Sequence, residues 1–149
     1  MTEEIKVETR GREPSSSKED IAEAMMRVVS RKGFHGATMK RVATEAGVTR
    51  GILHYYFKNK KELFFAALAV AVQNLIGTYY HVIKQPLTAV KKDSFRCLMV
   101  GRVEGMFTKE YREEYEHSKA LLLSTIQSMS QLDDDQIHQV WVDLLEYWG

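Results

Sequence analysis

The segment from Thr38 to Phe57 limits the fold of this chain more than any other part of its sequence. Thr38 and Thr49 each precede a short run in which apolar residues recur with helical spacing, and Gly47 separates the two runs. Threonine is a favoured helix N-cap, and glycine adopts the positive φ of a helix-ending turn at little cost. The segment therefore predicts two short helices, Met39 to Ala46 and a second that starts after Thr49, joined by a tight turn.

The residues before this pair divide into a polar tail and a further helix. Residues 1–16 mix charged residues with Ser, Gly and Pro and show no period that could bury a face, so we predict a flexible tail. Apolar residues then recur on one face from about Lys18 to Lys32. We expect Ser17 to cap this first helix and Gly33 to end it.

Helical spacing continues through the rest of the chain. Asn59 is placed to cap a long fourth helix, from Lys60 to about Lys84, and Pro86 forbids its further extension. Three later helices are predicted at roughly Ser94 to Phe107, Lys109 to Met129 and Asp134 to Trp148. No segment alternates with the period of two that a half-buried strand shows, so the predicted fold class is all-α.

The charge of the chain is divided unevenly. The formal net charge is only +1, but residues 25–61 hold nine bases against one acid, Glu45, whereas residues 62–149 hold eight bases and twelve acids. The nine bases are Arg27, Arg31, Lys32, Lys40, Arg41, Arg50, Lys58, Lys60 and Lys61. A net charge of +8 in so short a segment favours a polyanionic partner, and a solvated basic face is the alternative.

Two short helices joined by a glycine turn form a helix-turn-helix, whose second helix can enter the major groove of DNA. Arg50, at the start of that second helix, has the forked donors that suit guanine, and the hydroxyl groups of Tyr55 and Tyr56 can donate to phosphate. Lys60 and the amides at the start of the fourth helix can form an anion site. The sequence therefore predicts binding to double-stranded DNA.

The same residues resemble a known family. Residues Thr38 to Leu63, TMKRVATEAGVTRGILHYYFKNKKEL, resemble the DNA-binding signature of the TetR family of bacterial transcriptional regulators, and Ile21 to Phe34 resembles that family's first helix with its Gly-Phe ending. The resemblance implies a homodimer, a palindromic operator, and a small apolar or amphipathic effector that binds the C-terminal helices and releases the DNA. It implies DNA contacts at Thr38, Lys40, Thr49, Arg50, Gly51, His54, Tyr55, Tyr56 and Lys60.

With this resemblance, the chain is expected to comprise the tail (1–16), a helix-turn-helix DNA-binding domain (17–62) and a helical effector-binding and dimerisation domain (63–149). Members of the family commonly have a longer C-terminal part that forms the dimer interface. We therefore expect either a different interface or a shortened chain. The apolar ending around Trp141, Leu144, Leu145 and Trp148 is typical of a helix that packs against a partner.

Other functions find less support in the sequence. No set of acid, base and nucleophile indicates an enzyme, so we expect no catalytic residues, and we expect no cofactor and no metal. No apolar run approaches the roughly 20 residues of a membrane span, and the single Cys97 fits a cytoplasmic protein. The family resemblance implies that the regulator is a repressor. The alternative to a regulator is an all-α protein-interaction module or adaptor in which the helix-turn-helix is structural.

The sequence permits two interpretations of two features of the C-terminal part. Gly101 and Gly105 lie one helical turn apart, which either allows close packing of helices or leaves room for a ligand. The methionines and aromatic residues of this part, among them Met106, Tyr115 and Trp141, could form core or line an effector pocket.

Overall fold

The computed structural model describes residues 14–82 and 89–148, and the side chains of residues 18–76 and 91–146. Within these ranges the chain forms seven helices and no strands, which confirms the predicted all-α class. The helices are α1 (Pro14–Gly36), α2 (Met39–Ala46), α3 (Arg50–Tyr56), α4 (Lys60–Val82), α5 (Ala89–Gly105), α6 (Lys109–Ser130) and α7 (Asp134–Trp148).

The first helix is longer than predicted at both ends. Helix α1 begins at Pro14, so Ser17 lies inside the helix rather than at its cap. Proline is tolerated at the first helical position, where its missing N–H has no partner to lose. Gly33 has φ 78° and ψ 176°, so the predicted break is confirmed, but a further helical turn follows it as far as Gly36. Residues 1–13 of the predicted tail lie outside the described residues.

The caps and turn of the helix-turn-helix are confirmed. Thr38 Oγ1 accepts a hydrogen bond from the Arg41 amide, and Thr49 Oγ1 accepts one from the Ile52 amide, each at 3.1 Å. Gly47 has φ 74°, and its amide donates to the last turn of α2. Because these contacts join residues only three or four positions apart, the sequence alone could specify them.

Helix α4 connects the N-terminal helices, α1 to α3, which we call the head, to helices α5 to α7, which we call the body. Asn59 Oδ1 accepts from the Glu62 amide at 2.9 Å, as predicted, while the Glu62 carboxylate accepts from the Lys58 amide rather than from the cap residue itself. With 23 residues, α4 is about 35 Å long. The predicted end of this helix near Pro86 lies outside the described residues.

The core is continuous from the head to the body. Phe64 of α4 is fully buried, and its ring lies 5.2 Å from that of Phe34 in α1 and 5.9 Å from that of Tyr111 in α6. A second contact joins α1, α4 and α5, where Asn74 donates to the buried Ser94 hydroxyl at 2.9 Å and that hydroxyl lies 3.2 Å from Met26 Sδ. The head and the body are therefore packed against each other, not merely tethered.

The glycines of α5 allow close packing. A Cβ at Gly101 would lie 3.1 Å from Leu68 Cδ2 in α4, and a Cβ at Gly105 would lie 2.7 Å from the backbone Cα of Arg112 in α6. Both glycines therefore allow close packing of helices, and Gly105 also lines a cavity between α5, α6 and α7.

The body helices differ from their predicted bounds mainly at α5. Helix α5 begins at Ala89 instead of near Ser94, and it ends at Gly105, so that Phe107 lies in the turn to α6. Helix α7 begins where predicted, behind a capping box in which Asp133 Oδ1 accepts from the Gln136 amide at 2.8 Å and Gln136 Oε1 accepts from the Asp133 amide at 2.9 Å.

Two smaller observations bear on the function classes. Cys97 is completely buried, and burial raises the pKa of its thiol, so it is a core residue in this structure. In the described ranges, the helices are too short or too polar to span a bilayer.

Candidate nucleic-acid interface

Helix α3 is held by one face and exposes the other. Leu53 is fully buried and Phe57, just after the helix, is 3% exposed, so these two side chains fix the helix on the core of the head. Arg50, Gly51 and His54 lie on the exposed side. This is the arrangement that a groove-reading helix requires, because the reading face must remain open while the opposite face anchors the helix.

The two tyrosines at the end of α3 are placed differently. Tyr55 is 79% exposed, whereas Tyr56 is half-buried and packs against the core. Their ring centroids are 4.9 Å apart in an edge-to-face arrangement, so Tyr56 supports the ring of Tyr55 at the surface. Both tyrosines remain predicted contacts with DNA, and Tyr55 is the more accessible of the two.

The predicted contacts near α2 also lie at the surface. Thr38, Lys40 and Thr49 are exposed, and both threonines already use their hydroxyl groups as caps. Arg41 Nη1 donates to the Gly36 carbonyl at 2.9 Å, which joins the start of α2 to the end of α1. This hydrogen bond fixes the start of α2 on α1 within the head.

The structure places the half-buried Lys60 side chain against an aromatic ring of α1. Its ammonium lies 4.2 Å from the centroid of the Phe34 ring, which is a cation–π distance. Burial lowers the pKa of Lys60, and the nearby carboxylate of Glu104 acts in the opposite direction. In this structure the side chain therefore joins the head to the body, and its contact with DNA remains a prediction.

Part of the basic charge of the head is paired internally. Arg27 Nε donates to Glu45 Oε2 at 2.9 Å, and Arg31 Nη2 donates to Glu45 Oε1 at 2.8 Å. Lys61 pairs with Glu110 of α6 at 3.0 Å. Glu45 is the single acid among nine bases in residues 25–61, so the sequence indicates that it forms ion pairs. The spacing does not indicate which of the bases are its partners.

We expect Glu45 to stabilise the position of α2 on α1 at neutral pH. Hydrogen bonding to Arg27 lowers the pKa of Glu45 against the opposing effect of its partial burial. Because the folded pKa is depressed, the stabilisation is present above the ordinary carboxyl pKa of about 4.3 and is lost as the pH falls through the lowered value.

Glu45→Gln should therefore reduce the free energy of unfolding by only about 0.5 to 1 kcal/mol at pH 7, because both arginines are partly exposed to solvent. Urea unfolding of the two proteins from pH 7 to pH 2 provides the measurement. A difference that persisted unchanged at the lowest pH would show that the carboxylate charge is not the cause.

These features define the chain as a helix-turn-helix protein with a helical body. Residues 21–67 match the model of the bacterial regulatory proteins of the tetR family. Through this domain the chain is similar to the TetR family of transcriptional regulators.

Two relatives are HTH-type transcriptional regulators. The chain is 30% identical over 90 residues to the HTH-type transcriptional regulator BetI of Yersinia pestis, a match that covers 60% of this chain and 43% of that protein. It is 28% identical over 109 residues to BetI of Vibrio atlanticus, covering 73% of this chain and 52% of the relative. The matched part thus spans about half the length of these relatives.

Solved structures share the fold. A TetR-family transcriptional regulator from Mesorhizobium loti superimposes with a TM-score of 0.60 at 17% identity, over 79% of this chain and 68% of that one. A transcriptional regulator from Saccharomonospora viridis in complex with choline gives a TM-score of 0.58 at 17% identity, over 89% of this chain and 81% of that one. At these identities the likeness concerns the fold alone.

Proposed function

We propose that this chain is a sequence-specific regulator of transcription that binds duplex DNA through α3. The observation that carries the proposal is the exposed surface of that helix, where Arg50, His54 and Tyr55 are open to solvent while Leu53 is buried. Arginine can form two hydrogen bonds to the major-groove edge of guanine, so Arg50 is the proposed reader of sequence. Thr38 and Lys40 are proposed to contact the backbone and to fix the orientation of the head.

We further propose that the protein acts as a homodimer and a repressor. One short helix contacts too few base pairs to be selective, and a two-fold pair of heads would read two half-sites of a palindromic operator. The proposed dimerisation and effector domain is residues 63–149, and the proposed DNA-binding domain is residues 17–62. The choline complex of a structural neighbour supports a small-molecule effector for this fold class, without indicating its identity here.

An adaptor with a structural helix-turn-helix is the competing proposal. It predicts no preference among DNA sequences, because the exposed residues of α3 would then have no base edges to match. Selection of bound fragments from random duplex DNA separates the two proposals, since a regulator enriches a motif with two-fold symmetry and an adaptor enriches none.

Arg50→Ala should weaken binding to a selected operator by about 1 to 3 kcal/mol and relax the preference at one base position in each half-site. Lys40→Ala is the matched variant in the head, and it should weaken binding to all DNA sequences alike, because a contact with phosphate does not depend on the base. Lys109 is an exposed base of the body. Lys109→Ala is therefore the control that should change neither the affinity for DNA nor the base preference. Fluorescence anisotropy at fixed salt gives the affinities. An Arg50→Ala protein with unchanged affinity and preference would refute the assignment of this reading residue.

A further inference from the structure

A cavity of about 260 Å³ lies in the body between α5, α6 and α7. We call it the α5–α7 cavity. Tyr115 and Trp141 form buried parts of its wall, with 5% and 6% of their surface exposed. Its charged lining residues are Arg102, Arg112, Lys119 and Glu116. Its volume is below the ~300 to 1,000 Å³ of pockets for drug-sized molecules, so it suits a small ligand.

The charge of this lining is opposite to that of the surrounding segment. Residues 62–149 hold eight bases and twelve acids, yet three of the eight bases line the α5–α7 cavity beside a single acid. Three cations drawn from two helices repel one another unless negative charge offsets theirs, and the single Glu116 offsets only part of it. We propose that the α5–α7 cavity binds a small anion with carboxylate or phosphate groups, and that this anion is the effector of the proposed regulator, on whose function the effector role rests.

The side chains around the cavity can serve such a ligand. Arg102 and Arg112 carry the forked donors that bind carboxylate or phosphate in pairs of hydrogen bonds. The Lys119 ammonium lies 4.8 Å from the centroid of the Trp141 ring, which holds it at the cavity wall. Burial raises the pKa of Tyr115, against the effect of Arg102. The phenolic hydroxyl can donate a further hydrogen bond.

The cavity adjoins the contact between body and head. Arg112 Nη1 donates to the carbonyl of Gly105, the last residue of α5, at 2.9 Å. The preceding residue, Glu104, has its Oε2 3.8 Å from His35 Nε2 of α1 and lies close enough to influence Lys60 of α4. An anion that binds Arg112 therefore alters the end of α5, where α5 meets the head. Anion binding is coupled to DNA binding to the extent that the anion prefers one arrangement of α5 and the head over another.

Succinate and inorganic phosphate are the probes, with choline chloride as the cationic comparison, each tested on the full chain at constant ionic strength. We expect either anion, or both, to raise the melting temperature and to give a dissociation constant in calorimetry at concentrations up to about 20 mM, and choline to do neither. Succinate binding alone identifies a carboxylate ligand, and phosphate binding alone identifies a phosphate-bearing one. Failure of both anions, or an equal effect of choline, would overturn the proposed site.

Two variants test the location of the site. Arg102→Gln and Lys119→Gln should each weaken binding of the anion about tenfold or more, because each removes a charged hydrogen-bond donor. Arg96→Gln is the matched control, since Arg96 is an exposed base of the same helix α5 that does not line the cavity. Circular dichroism of each variant establishes that it is folded. Unchanged anion binding in both folded cavity variants would place the anion elsewhere.

Measurement of DNA affinity with and without the bound anion separates this inference from the proposed function. A changed affinity for the selected operator in the wild-type protein, lost in Arg102→Gln, supports the effector role. Anion binding without any change in DNA affinity overturns that role, because coupling is reciprocal. A protein that binds the anion but selects no DNA refutes the proposed regulator and leaves the anion site standing.

Discussion

Phe64→Ala should lower the free energy of unfolding by about 3 to 5 kcal/mol, the largest effect that we expect from a single substitution in this chain. Phe64 is fully buried, and its ring contacts Phe34 of α1 and Tyr111 of α6. Removal of the ring leaves a cavity where the head, α4 and the body meet, and it also removes two aromatic contacts. Urea unfolding at a fixed protein concentration gives the value, because association would make the stability depend on concentration.

The adjacent Phe65 provides the control for this prediction. It is half-buried, and its ring contacts Tyr111 edge-to-face at 5.4 Å. Phe65→Ala removes the same atoms from the same helix but leaves a site that solvent can partly fill, so we expect a loss of about 1 to 2 kcal/mol. Equal losses for the two variants would show that the junction between head and body does not depend on the ring of Phe64.

Gly105→Ala should destabilise the protein by about 1 to 3 kcal/mol, although alanine is the better helix former. The added Cβ would lie 2.7 Å from Arg112 Cα and 3.1 Å from Arg112 N, and both are backbone atoms that cannot rotate away. Helix α5 and the start of α6 would have to separate, which also disturbs the hydrogen bond from Arg112 to the Gly105 carbonyl. Thermal and urea unfolding provide the measurement.

Gly101→Ala is the matched comparison, one helical turn earlier in α5. Its added Cβ would meet Leu68 Cδ2 at 3.1 Å, and this atom is the end of a flexible side chain. The gain in helix propensity, up to about 1 kcal/mol, should offset most of that contact and leave the stability nearly unchanged. If Gly105→Ala were as stable as Gly101→Ala, the close approach of the two helix backbones would not be required for folding.

The predicted helix bounds are accurate where interactions between residues close in sequence define them. Helix α2 begins and ends as predicted and α7 begins as predicted, because Thr38, Gly47 and Asp133 act on residues three or four positions away. The start of α5 was wrong by five residues. Ser94 lies inside that helix, where its hydroxyl accepts a hydrogen bond from Asn74 of α4, a partner that local sequence cannot indicate.

The sequence by itself determined the helix-turn-helix and the exposed residues of its reading helix, because caps, turns and helical periodicity are local properties of the chain. Only the tertiary structure decided the partners of the charged side chains. It placed Lys60 on the ring of Phe34, joined Glu45 to Arg27 and Arg31, and brought Arg102, Arg112 and Lys119 to one cavity. These groups come from different helices or from distant turns, so their distances depend on how the helices pack, which no local pattern of residues specifies.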